Sequence, residues 1–165
     1  MTDDEFAELY ATCAPRLTRA VFAVTADMGE AQDVVSETFV RAWDSRRSLA
    51  TVDHPHAWLR TVAMRLAVSR WRRARSAATA WRRHGAIPDQ AELSGDNVAL
   101  VAALRQLPEA QRVAIVLHYL YDLPVAQVAE ETASSVGAVK TRLSRARTAL
   151  AFLLNPTADP EDSRV

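Results

Sequence analysis

The chain has 165 residues, 49% of them hydrophobic, enough for one ordinary domain or two small ones and too apolar for a disordered chain. No run approaches the roughly 18–20 continuous apolar residues that cross a bilayer, so membrane insertion is not expected, and one cysteine, Cys13, excludes an internal disulfide or a paired-cysteine metal site. The zero net charge conceals an alternation: residues 1–40 carry −6, 41–83 carry +9, 84–131 carry −5, 132–154 carry +4 with no acid, and the remainder −2.

Two basic blocks, each behind an acidic one, suit a protein that touches DNA at two places and offers acidic surfaces to another partner. On charge alone, solvated helix faces explain the blocks equally well. The acidic start Met1-Thr2-Asp3-Asp4-Glu5 is unlike a secretory signal, and a cytoplasmic location is expected.

Helical periodicity dominates along the chain. Phe6, Leu9, Tyr10, Cys13, Leu17, Val21 and Val24 keep steps of three and four, with Thr2 or Asp3 as N-cap and Pro15 as a point of kinking or restart. Ala26-Asp27-Met28-Gly29 reads as a turn. A second helix, over about 30–43, places Val35, Phe39, Ala42 and Trp43 on one side, with Asp33, Glu37 and Arg41 on the other and Val40 beside them. A polar loop, Asp44 to Asp53, leads to a third helix with Pro55 in its first turn and Trp58, Leu59, Val62 and Leu66 along it. Residues 76–97 lose periodicity and read as a linker.

Beyond the linker the pattern resumes with Leu100, Val101 and Leu104, breaks at Leu107-Pro108, and continues with Val113, Val116, Leu117 and Leu120. The turn Tyr121-Asp122-Leu123-Pro124 precedes a short helix at 125–129, and Ser134-Ser135 precede a last helix from Val136 to about Leu154. Two short helices across a tight turn, the second basic, have the form of a helix-turn-helix. On a wheel of 100° per residue, Val139, Leu143, Ala146 and Leu150 face the core, and Gly137, Thr141, Ser144, Arg145 and Thr148 face away. Lys140 and Arg147 flank that stripe on one side, Arg142 on the other. Small residues let the backbone approach base edges, Arg145 can reach a guanine with two hydrogen bonds, and the flanking cations take phosphates. Ser134 or Ser135 caps the helix, whose N-terminus can add a phosphate contact.

From Leu107-Pro108-Glu109-Ala110-Gln111-Arg112 to Val136-Gly137-Ala138-Val139-Lys140-Thr141-Arg142-Leu143-Ser144-Arg145-Ala146-Arg147, this half resembles the sigma-4 domain of extracytoplasmic-function sigma factors of the sigma-70 family. It departs at Glu131, Thr132 and Ala133, where the family carries an apolar pair and a glycine, and at Ser135, where proline is frequent. Ala133 therefore implies a different turn or some strain. Glu30-Ala31-Gln32-Asp33-Val34-Val35-Ser36-Glu37-Thr38-Phe39-Val40-Arg41-Ala42-Trp43 and His56-Ala57-Trp58-Leu59-Arg60-Thr61-Val62-Ala63 resemble the sigma-2 domain of the same family, with Ser36 in place of a common glutamine and Arg65 in place of a frequent asparagine.

The resemblance implies an all-α chain: a sigma-2-like helical bundle over 1–75, a flexible linker over 76–97, a sigma-4-like helix-turn-helix over 98–154 and a disordered tail over 155–165. It implies core RNA polymerase and promoter DNA as partners, an anti-sigma factor as a third, and no cofactor or metal. Asp33, Ser36, Glu37, Val40 and Arg41 are the implied polymerase contacts. Ser45, Arg46, Arg47, Ser48, Asp53, Arg60 and Arg65 are the candidates for the −10 element, where a polar loop beside cations suits an opened strand, and Arg70, Arg72, Arg73 and Arg75 add positive charge. Ser134, Ser135, Gly137, Lys140, Thr141, Arg142, Ser144, Arg145 and Arg147 are the candidates for the −35 element. Trp58 and Trp71 are expected in the core.

Two rival readings are weaker. His54 and His56 stand two apart, wrong for one helix face, and neither they nor Asp53, His84 and His118 come with a nucleophile motif or a phosphate loop, so an enzyme is not expected. A stand-alone helix-turn-helix repressor leaves the first half of the chain unexplained.

Overall fold

The computed structural model describes residues 1–82 and 97–155, which are helical with no strand among the described residues. Their contacts divide the chain into two units, Met1–Glu92 and Leu93–Val165. Most of the expected linker, 83–96, and most of the expected tail, 156–165, lie outside the described residues.

In the first unit, α1 (Asp3–Thr25), α2 (Met28–Asp44) and α4 (Pro55–Arg82) pack pairwise into a bundle, with α3 (Arg46–Leu49) beside α2. Thr2 caps α1 reciprocally: its hydroxyl accepts from the Glu5 amide at 3.2 Å, and its own amide donates to the Glu5 carboxylate at 2.6 Å. The helix runs unbroken through Pro15. Both Pro15 and Ala11, whose carbonyl loses its partner, are exposed, so the missing hydrogen bond falls where water can replace it. The Ala26–Gly29 turn proves tighter than expected. Ala26 takes a left-handed conformation (φ 56°) to close α1, and the Asp27 side chain accepts from the Glu30 amide at 2.9 Å to open α2 at Met28.

Two expectations are corrected here. The segment read as a loop after Asp44 contains α3, because Leu49, alone among polar neighbours, is buried at 2% exposure and folds the segment back on the bundle. The expected third helix, α4, continues into the segment read as linker from residue 76 and reaches Arg82. Ser76-Ala77-Ala78-Thr79-Ala80 loses apolar periodicity without losing helix propensity, since alanine is the best helix former. The core holds Leu17, Val21 and Val24 of α1, Val34, Val35 and Phe39 of α2, and Leu59, Ala63, Leu66 and Ala67 of α4. Truncating a side chain as enclosed as Leu59 costs about 2–5 kcal/mol.

In the second unit, α5 (Asn97–Gln106) and α6 (Glu109–Ile115) lead into a π-helical turn (Val116–Leu120), then α7 (Val125–Glu131) and α8 (Val136–Leu154). Helices α5, α6 and α7 all pack on α8. Arg112 is almost fully buried, and its Nη2 donates to the carbonyls of Arg105 (3.1 Å) and Leu107 (2.9 Å), satisfying the acceptors left at the end of α5. Val139, Leu143 and Ala146 are buried as expected, and Leu150 is half-buried. Leu100 and Leu120, expected inside, are each 39% exposed. For Leu120 the cause is the π turn, whose extra residue rotates the end of the segment away from the α-helical stripe.

The turn between α7 and α8 keeps the left-handed residue that glycine usually supplies, here Ala133 (φ 48°). The amide of Ala133 donates to the Glu130 carbonyl (3.2 Å) and that of Ser134 to the Ala129 carbonyl (2.9 Å). This pair of bonds is the Schellman arrangement. The departure from the family's residue is absorbed as strain of about 1–2 kcal/mol, not as a different turn.

Candidate nucleic-acid and protein interfaces

Ser135 opens α8, accepting from the Ala138 amide at 3.1 Å. Ser134 plays a different part. Its hydroxyl donates to the Thr132 carbonyl (3.1 Å) and accepts from Nη1 of Arg142 (2.6 Å). On the opposite flank of α8, Nη1 of Arg147 donates to the phenol oxygen of Tyr119 at 3.1 Å. Gly137, Lys140, Thr141, Ser144, Arg145, Arg147 and Thr148 are exposed and Arg142 is half-buried, so the structure brings the helix candidates onto one solvent-facing surface. A Cβ built on Gly137 meets nothing within 4 Å, so no neighbour in the unit requires a glycine there. Among the described residues Lys140, Arg142, Arg145 and Arg147 form no ion pair. Their charge is held by hydroxyls or left in water, and it stays available to an anion.

The first unit treats its cations differently. Ser45, Arg47, Ser48, Asp53 and Arg65 are exposed along the segment after α2 and on α4. Arg46 is half-buried, its guanidinium 4.4 Å from the Trp43 ring centroid and its Nη1 donating to the Trp43 carbonyl at 3.0 Å. Arg60 is set apart from this group: it is 8% exposed, and five helical steps place it about 140° round α4 from Arg65. Arg70 also turns away from the exposed cations. Its Nη1 lies 3.2 Å from Glu30 and 3.9 Å from Asp33, and its Nη2 lies 2.7 Å from Glu37, all on α2. Trp58 and Trp71 are half-buried, the latter under the Arg75 guanidinium at 5.2 Å.

On α2, Asp33, Ser36 and Arg41 are exposed, Glu37 is half-buried, and Val40 is 60% exposed. Arg41 pairs with Glu37 at 2.6 Å. The hydrogen bond from Arg70, followed by the charge of Arg41, holds the Glu37 carboxyl below the usual carboxylate range. Between α1 and α2 aromatic rings meet: Phe6 and Trp43 edge-on (centroids 5.0 Å apart) and Tyr10 and Phe39 (4.6 Å).

Charge alone groups Arg70 with the exposed cations of the first unit, yet the signal for its true place is in the sequence. Leu59, Ala63, Leu66 and Arg70 step by four, three and four, so Arg70 ends the buried stripe of α4 and must face another helix. Tyr119 carries no such local signal, because its partner Arg147 lies 28 residues away.

Comparison with known proteins agrees with this division. The family model for Sigma-70 region 2 matches residues 9–77 and that for Sigma-70, region 4 matches residues 97–150. The ECF RNA polymerase sigma factor SigL of Mycobacterium tuberculosis is 32% identical over 153 residues, covering 88% of this chain and 86% of SigL. SigK of Mycobacterium ulcerans, also an ECF RNA polymerase sigma factor, is 29% identical over 150 residues, covering 85% and 80%. Among solved structures, the sigma factor RpoE of Bartonella quintana, in complex with the anti-sigma factor NepR, superposes with a TM-score of 0.77 at 26% identity, covering 92% of this chain and 97% of that one. CnrH in complex with the cytosolic domain of CnrY gives 0.69 at 25% identity, covering 95% and 92%.

Proposed function

This chain belongs to the sigma-70 family as an extracytoplasmic-function RNA polymerase sigma factor, and on that footing we propose that it binds core RNA polymerase and directs it to promoters through separate −10 and −35 contacts. The observation that carries the −35 assignment is the surface of α8, where Arg145 lies in a stripe of small and hydroxyl-bearing residues flanked by Lys140, Arg142 and Arg147, none of the four in an ion pair among the described residues. Such a helix fits the major groove: Gly137, Thr141 and Ser144 admit close approach, Arg145 reads a guanine edge, and Lys140, Arg142 and Arg147 hold phosphates. The −10 contacts fall to Ser45, Arg46, Arg47, Ser48, Asp53 and Arg65, a polar and cationic surface suited to an unstacked strand. Arg60, buried in the bundle, and Arg70, paired with α2, lie apart from that surface. The stripe Asp33, Ser36, Glu37, Val40 and Arg41 seats on the polymerase, with Val40 supplying apolar area. Catalysis belongs to the polymerase, and the site of action is the cytoplasm.

An anti-sigma factor completes the partner set. Of the solved structures compared above, the sigma factor RpoE is in complex with the anti-sigma factor NepR and CnrH with the cytosolic domain of CnrY, and the exposed Val40 offers such a partner apolar area on this unit. Co-purification from native cells tests that part: repeated recovery of the chain without any such protein argues against it.

The main test is transcription reconstituted from core polymerase, this chain and a promoter library, with transcript starts sequenced. Starts clustered downstream of one two-part promoter are expected. Random starts, beside tight binding of a symmetric operator by the isolated chain as a dimer, would favour a repressor and overturn the reading.

A further inference from the structure

Tyr119 is 48% exposed, yet its surroundings fix it more firmly than a surface tyrosine requires. It lies in the π-helical turn Val116–Leu120. Such turns are rare and frequently lie at functional sites. The preceding residue is anchored. His118 Nδ1 stands 2.7 Å from the Leu123 carbonyl oxygen, and since a carbonyl can only accept, Nδ1 carries the proton. The His118 ring then meets the Tyr119 ring edge-on, centroids 4.8 Å apart at 78°. The result is a phenol oxygen presented to α8, where it accepts from Nη1 of Arg147.

We propose that Tyr119 is a positioning residue for promoter binding: its phenol oxygen holds the Arg147 guanidinium against a backbone phosphate of duplex DNA. The inference rests on the sigma-factor reading of α8 given above. The chemistry of the anchor is decisive. A carboxylate at this place would fix Arg147 equally well but neutralise it, as Glu37 does for Arg70. A phenol removes rotamer freedom without cancelling charge. Arginine offers five donors in a planar fork, so the bond to Tyr119 leaves others free for phosphate oxygens. Ser134 does the same for Arg142 on the other flank of α8, again with a neutral oxygen.

The test is equilibrium binding of the full chain with core polymerase to promoter duplex, against the same duplex with its upstream element scrambled, at several salt concentrations. Tyr119→Phe keeps the ring contact with His118 and removes the acceptor. It should weaken upstream-dependent binding by about three- to tenfold without changing the slope of log affinity against log salt. Arg147→Ala should lower that slope by about one, as expected for one lost phosphate contact, and adding Tyr119→Phe to it should change nothing further. The same loss from Tyr119→Phe in the Arg147→Ala background would overturn the positioning role in favour of a general structural one. So would no loss in the parent chain that still prefers the intact element. A parent complex with no such preference overturns the reading of α8 and this inference together. Matched thermal melts of the variants exclude unfolding as the cause.

Discussion

Nη2 of Arg70 on α4 lies 2.7 Å from a carboxylate oxygen of Glu37 on α2, and the same guanidinium reaches Glu30. One half-buried cation therefore ties together two helices whose outer faces are assigned to different partners. Arg70→Ala would take from three α2 carboxylates, Glu30, Asp33 and Glu37, the cation that α4 supplies to them. The expected cost is about 1 kcal/mol, read as a lower melting temperature with the secondary structure unchanged. An equal melting temperature would show that the pairings contribute nothing.

Acid should act on the same seam. The folded-state pKa of Glu37 is lowered, so its contribution is fully present above the ordinary 4.5 and is lost as pH falls through the folded value. Unfolding free energy measured from pH 6 downward should begin to decline near 4.5. In Glu37→Gln, which stays neutral throughout, that decline should be shallower. Parallel curves for the two proteins would assign the acid sensitivity to other carboxylates.

Gly137 separates folding from recognition. An added methyl meets open space in the unit, and alanine is the better helix former, so Gly137→Ala should leave stability equal or raise it by about 0.5 kcal/mol. Promoter binding should fall nonetheless, because the methyl occupies the surface meant for DNA. Undiminished promoter affinity would show that α8 docks with Gly137 off the groove.

The two interfaces should fail independently. Arg145→Ala is expected to cost about 1–3 kcal/mol in recognition of the upstream element while leaving polymerase affinity intact. Val40→Ala, at a side chain 60% exposed and hence neutral to folding, should weaken polymerase binding and spare the upstream contact. Glu37 is a poorer probe, because its removal also loosens the α2–α4 seam. Polymerase pull-down and upstream protection measured on both variants decide the matter, and a shared loss in both assays would contradict the division.

Local repetition is the part of this fold that the sequence makes legible. The steps of Leu17, Val21 and Val24, the cap at Thr2 and the outward stripe of α8 need nothing beyond helical geometry. The features that escape it depend on distance or on an exception to the period. Ser76-Ala77-Ala78 looks like a linker because apolar spacing signals packing, and a helix can outrun its packing. Leu120 falls inside on a 3.6-residue wheel because a π turn leaves no mark there. Arg60 and Arg65 group by charge although the helix sets them on different faces. Ser134 and Ser135 are interchangeable on paper, and the backbone turn at Ala133 gives one to the helix end and the other to Arg142.

Ala26, Asp122 and Ala133 all adopt positive φ without being glycine, each at a junction between helices. A side chain in that conformation carries a penalty of about 1–2 kcal/mol, larger than what glycine would add to the freedom of the unfolded chain. The protein thus holds unused headroom at its joints: a single-atom pruning at Ala26 or Ala133 would toughen it without altering any outward face. Selection has left that reserve untouched, as expected of a molecule kept just above the threshold it needs.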